Sequence, residues 1–226
     1  MATNPPQDFI FDFDGVLADS APLIVEILDS TIQCLLGQTV SQDDLRATVG
    51  PPFSHAVQLL CDKYGIDAGD ATVAEIITSF RAEYWHRAAA ETLAFPGIPD
   101  ALVKLAPKAR LSICSSKPLP LVEAILASWE LTDCFADIEA PAPEVTESKA
   151  DGLQRLIDRM GASLSSSTLI GDTRFDTQAA ETVGIQFVGV AWGIDSPEEL
   201  LSLGATTIAN SPEELVVALS SRTGTA

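Results

Sequence analysis

The chain has 226 residues, 46% of them hydrophobic, a formal net charge of -19 and a mean hydropathy of +0.22. That is material for one large domain, or for a core carrying an insert, and the acidic balance argues strongly against a nucleic-acid partner. No apolar run reaches the roughly 18 residues of a membrane helix, so no membrane association is expected.

The N-terminal MATNPPQDF lacks a basic start followed by an apolar stretch, so no secretory signal is expected and a cytoplasmic location is the default. The first patterned segment, DFIFDF (8–13), has the apolar density of a buried strand. Asp12 and Asp14 lie two apart, so on an extended chain their side chains point to one side. Gly15 then lets the backbone turn sharply. A polar turn with its acids in water would explain a lone Asp. Two acids behind three large apolar residues need a partner, because a buried unpaired carboxylate is costly. A hard divalent cation would provide one.

From about 19 to 92 no strand pattern occurs. Helical periodicity runs through APLIVEILDSTIQCLL, SQDDLRATV, SHAVQLLCDKYG and VAEIITSFRAEYWHRAA, with Asp19 and Ser20 expected to start the first helix. This block reads as a helical cap inserted after the first strand. Arg81 is its best cationic candidate for contacting a ligand, and Phe53 lies in the segment VGPPFSHA (49–56). The plainer alternatives are helix packing for Phe53 and a solvated face for Arg81. Pro96 and Gly97 mark a turn where the core resumes.

Downstream, apolar runs RLSICS (110–115), CFADIE (134–139), STLIGD (167–172), IQFVGV (185–190) and ATTIA (205–209) alternate with amphipathic segments such as KADGLQRLIDRM. The pattern predicts an α/β fold, a Rossmann-like parallel sheet flanked by helices. In such sheets ligands bind beyond the carboxyl ends of the strands, which places Asp12, Ser115 and Asp172 at one edge. Ser115 and the backbone N–H groups around Ser116 suit phosphoryl oxygens, and Lys117 reads as a solvated loop residue that lies close enough to be a lesser candidate. Ser148 and Asp151 form an S-x-x-D cap that puts Lys149 in a first helical turn. The helix dipole opposes a cation there, so Lys149 is either a tolerated surface charge or a neutraliser of a nearby anion. Asp172 ends a strand and Asp176 falls in the next helix's first turn, where the dipole alone would favour it by about 0.3–1 kcal/mol. Four dispersed cysteines without CxxC spacing are expected to be free and largely buried.

With DFDGVLADS, SSKP, Lys149 and GDTRFD in order, the chain resembles the haloacid dehalogenase (HAD) superfamily, in particular its phosphoglycolate phosphatase-like branch with a helical cap. The resemblance implies a HAD-like core over 1–18 and 93–226, with the cap over 19–92. It implies Asp12 as nucleophile, Asp14 as general acid and base, and Mg²⁺ held by Asp12, the Asp14 carbonyl and Asp172. Asp176 would support the metal or orient Lys149. Ser115 and Ser116 would bind the phosphoryl group and Lys149 would neutralise charge. A small phosphorylated metabolite is then the expected substrate. Asp14 disfavours dehalogenation, and Lys63 as the sole lysine between 19 and 92 disfavours Schiff-base phosphonate cleavage. A sugar-phosphate mutase and a non-catalytic binding protein stay open. Ser116 stands where many relatives carry Asn.

Overall fold

The computed structural model describes residues 7–51, 53–66, 69–143, 145 and 147–223. The chain divides into two units, Met1–Ala18 with Ala94–Ala226, and Asp19–Leu93. Its strands are β1 (Asp8–Phe11), β2 (Ala18–Asp19), β3 (Leu93–Ala94), β4 (Arg110–Cys114), β5 (Asp137–Glu139), β6 (Ser167–Gly171), β7 (Gln186–Val190) and β8 (Ile208–Ala209). The helices are α1 (Ala21–Leu36), α2 (Gln42–Arg46), α3 (Phe53–Tyr64), α4 (Asp70–Glu91), α5 (Ile98–Leu105), α6 (Leu119–Ser128), α7 (Lys149–Met160), α8 (Arg174–Val183), α9 (Pro197–Ser202) and α10 (Pro212–Ser220).

In the larger unit, six strands form a parallel sheet in the order β5-β4-β1-β6-β7-β8. All four residues of β1 are buried, as a central strand covered on both faces requires. Its one charge, Asp8, is matched in register by Arg110 of β4, whose Nε donates to Asp8 at 2.6 Å. Leu153, Leu156 and Ile157 of α7 and Ala179, Ala180 and Val183 of α8 pack with Ile10, Leu169 and Phe187 of the sheet. Each fully buried leucine in that layer contributes roughly 1.5–3 kcal/mol.

The sheet margins differ from the sequence expectation. The run 134–139 is strand only at Asp137–Glu139, preceded by a 3₁₀ turn at Thr132–Cys134, and 205–209 only at Ile208–Ala209. Both strands are sheet edges, where short strands leave few unpaired backbone groups to template aggregation. The two-residue β2 and β3 are too short to show a period in sequence, and they pair as a separate ribbon.

In the helical unit, α1 buries Leu23, Ile24, Ile27, Leu28 and Ile32 and stops at Gly37, whose φ of 63° is the left-handed cap conformation. Ser20 occupies the N-cap but makes no side-chain capping bond, and its buried hydroxyl has no hydrogen-bond partner among the described residues. Ser41 does cap α2, accepting from Asp44 N. Asp44 in turn accepts from Tyr64 Oη at 2.7 Å and pairs with Lys63. Arg87 of α4 reaches Glu26 of α1 at 2.8 Å. Phe53 lies against Phe80 with the rings tilted, 4.3 Å between centroids, so it takes part in helix packing. Of the four free cysteines, Cys61 and Cys114 are buried, Cys134 is intermediate and Cys34 is exposed. The expectation of largely buried thiols therefore holds for two. Among the described residues no helix is long and apolar enough to cross a membrane.

Candidate active site

Parallel pairing brings the carboxyl ends of β4, β1 and β6 to one edge, with Ser115, Asp12 and Asp172 as the residues that follow them. Asp12 N still donates to Ile170 O at 2.8 Å, so the β1–β6 ladder fixes its backbone. Its Oδ1 accepts from Phe13 N at 2.7 Å, and its Oδ2 lies 2.6 Å from Lys149 Nζ. Lys149 also pairs with Asp176 Oδ1. It opens α7 behind the Ser148 cap, as the S-x-x-D pattern predicts. Two carboxylates outweigh the unfavourable dipole there.

Asp176 has two jobs, one for each oxygen. Its Oδ2 accepts from Thr173 Oγ1 at 2.6 Å, Thr173 N at 3.0 Å and Asp172 N at 3.3 Å, while Thr173 caps Asp176 N in return. This capping box starts α8. Oδ1 is what remains for Lys149.

Asp172 is fully buried. Its Oδ2 accepts from Ile194 N at 2.9 Å, but its Oδ1 has no hydrogen-bond partner among the described residues. Close approach is built in around it. Gly15, at φ +82°, passes so near that a Cβ would lie 2.0 Å from Asp172 Oδ2, and a Cβ on Gly193 would lie 2.2 Å from Asp172 Cβ. The turn that the sequence assigned to Gly15 thus brings the backbone against Asp172.

One oxygen each from Asp12, Asp172 and Asp176 lie within 4.8 Å of one another, all from buried residues. Three carboxylates face one ammonium. Burial pushes the Asp12 carboxyl up to about 7, with Lys149 opposing that rise and Asp176 adding to it. Burial raises Asp172 well above the ordinary carboxylate range, and Asp176 and Asp12 add to that rise. For Lys149 burial works against the ammonium, yet Asp12 and Asp176 hold its pKa above the ordinary value. An excess of negative charge with one orphaned carboxylate oxygen fits a hard divalent cation, which takes oxygen ligands. The residues present suit such an ion.

Lys117 corrects the sequence expectation. It is not solvated: its side chain is 4% exposed, and Nζ lies 3.0 and 3.1 Å from the two Asp14 oxygens. Its backbone N also donates to Ser115 Oγ at 3.1 Å. Ser115 N donates to Glu139 O, and Glu139 accepts from Arg155 and Arg159 of α7, so the serine loop and the Lys149 helix share an anchor. Ser116 is exposed. Arg81 stands on α4 of the helical unit with an exposed side chain. Sequence reasoning missed Lys117's pairing and the loop after β7 that holds Asp172. Gly193, right behind a buried strand, was the available signal for that loop; for Lys117 the signal was its closeness to Ser115, which marks it as a lesser candidate but not as Asp14's partner.

The parallel α/β sheet thus carries an acidic, cation-ready centre beyond its carboxyl edge. The chain belongs to the haloacid dehalogenase-like hydrolase family, whose model matches residues 9–190. It is 27% identical over 226 residues to a phosphoglycolate phosphatase of Synechococcus elongatus, covering 94% of this chain and 97% of that one. It is 31% identical over 191 residues to the tyrosine-protein kinase PtkA of Mycobacterium tuberculosis, covering 83% of this chain and 63% of that one. Among solved structures, a haloacid dehalogenase-like family hydrolase of Streptococcus pneumoniae superimposes with a TM-score of 0.84 at 25% identity, covering 94% of this chain and 98% of that one. Within the family the chain is phosphoglycolate phosphatase-like, a phosphoric monoester hydrolase.

Proposed function

We propose that the chain is a Mg²⁺-dependent phosphatase of a small phosphate monoester, working through an aspartyl-phosphate on Asp12. The observation that carries this reading is Asp12 on Lys149 beside an orphaned Asp172 Oδ1. Asp12, Asp172 and the Asp14 carbonyl would hold the ion. A bound Mg²⁺ supplies charge neutralisation at the phosphoryl oxygens.

In the first half-reaction an Asp12 oxygen bonds to phosphorus as the ester P–O bond breaks, and Asp14 gives its proton to the leaving alcohol. In the second, water attacks phosphorus, Asp14 takes the water proton, and phosphate leaves Asp12. Lys149 offsets the repulsion between a carboxylate and a phosphate dianion, and Asp176 aims Lys149. Ser115 and the backbone around Ser116 bind the phosphoryl group. The helical unit acts as a cap whose Arg81 contributes to substrate choice. Positioning and electrostatics supply most of the catalysis in such transfers.

Metal-stripped protein resupplied with Mg²⁺, assayed for phosphate release on a panel of esters that includes 2-phosphoglycolate, tests this beside Asp12→Asn. Release by wild type and none by Asp12→Asn is expected. Substrate loss without stoichiometric phosphate would favour the mutase reading. Phosphate transferred to a protein tyrosine would favour the chemistry that PtkA's name describes.

A further inference from the structure

The loop 191–195 after β7 is tied into the site at three places. Trp192 Nε1 donates to Val16 O at 3.1 Å, in the turn that follows Asp12 and Asp14. Ile194 N donates to Asp172 Oδ2 at 2.9 Å, and Asp195 N donates to Asp172 O at 3.1 Å. The Asp195 side chain, 11% exposed, then accepts from Arg174 N at 2.8 Å, Nε at 3.1 Å and Nη2 at 3.2 Å, at the start of α8. Gly193 has no room for a Cβ because Asp172 fills that space.

We propose that Asp195 is a positioning residue for the metal centre: by latching the loop to Arg174 it holds the Ile194 N–H on Asp172 Oδ2. Rotation of the Asp172 carboxylate is thereby blocked, and Oδ1 alone is presented to the ion. The proposal rests on the metal reading above and assigns a residue outside the acidic cluster to it. A surface ion pair by itself contributes little. The weight here comes from the main-chain bonds onto Asp172 and the closeness of Gly193. Partners of this kind, one shell out from a ligand, typically change metal affinity by roughly 10–100-fold.

Binding of Mn²⁺ to metal-stripped protein, followed by electron paramagnetic resonance, tests this without recourse to activity. Wild type is expected to bind one ion tightly and Asp172→Asn not to. Asp195→Ala should weaken binding by roughly 10–100-fold, and Asp195→Asn, which keeps an oxygen for the Arg174 N–H, should recover most of the loss. Arg174→Ala alters an exposed side chain and should weaken binding severalfold in the same direction. Wild-type Mn²⁺ affinity in folded Asp195→Ala, or in Arg174→Ala should the former not fold, overturns the proposal. A wild type that binds no Mn²⁺ overturns the metal reading, and this inference with it.

Discussion

Asp172 keeps one oxygen on a backbone N–H and, among the described residues, the other without a hydrogen-bond partner in a buried site, and that asymmetry has a thermodynamic consequence. Asp12 sits at about 7 in the folded chain against an ordinary 3.8, and Asp172 is raised as well, so the folded state binds more protons than the unfolded state over that interval. Stability from these groups therefore falls as pH rises from about 4 towards 7 and stays low above it. In chelator, Asp172→Asn should melt higher than wild type at pH 8, and the gap should close as pH approaches 4. Added Mg²⁺ should stabilise wild type at pH 8 and leave Asp172→Asn nearly unmoved. Equal melting of the two proteins at pH 8 would contradict the crowding of charge. At Lys117 the expectation concerns rate. Lys117→Met removes the cation that fixes both Asp14 oxygens. It should lower kcat by roughly 10- to 100-fold, part of the 10²–10⁴ that general acid–base catalysis supplies. A kcat within twofold of wild type would remove Lys117 from the machinery.

Helix α7 delivers Lys149, and its start is set by a single cap. Ser148→Ala should cost about 0.5–2 kcal/mol, and thermal melting reads it out at roughly 2–4 °C per kcal/mol in a chain of this size. Turnover should fall along with it, because Lys149 is the first residue of the helix. At this scale the sequence was highly legible. β1, β4, β6 and β7 announce themselves as apolar runs, and the cap of α7 and the first turn of α8 follow from Ser148 and Asp176. The edge strands β5 and β8 were overextended because apolar residues at a sheet margin look like strand whether or not a neighbour pairs with them. The structure brings Asp12, Asp172, Asp176 and Lys149 together; Asp12 was legible because an acid behind a buried run must be paired, whereas Asp176 and Lys149 read equally as helix-end charges and gained their roles only from the resemblance. Lys117's pairing and the loop behind Asp172 were not legible: lysine after serine in a loop carries no mark of burial, and the Ile194 N–H acts through its backbone, which no residue type encodes.

The whole molecule carries a formal charge of -19, which should repel an anionic substrate over distances that salt screens. kcat/KM is expected to rise modestly as an inert salt is added from low ionic strength. A steep fall would show that a locally positive entrance dominates. The central claim is that Asp12 becomes phosphorylated. Protein quenched during turnover of a good phosphate ester and reduced with borohydride would convert an aspartyl-phosphate to homoserine, which peptide mass spectrometry locates. Homoserine at position 12, absent without substrate, is the expected result; turnover with no modified aspartate, or with the label at position 14 instead, would contradict it.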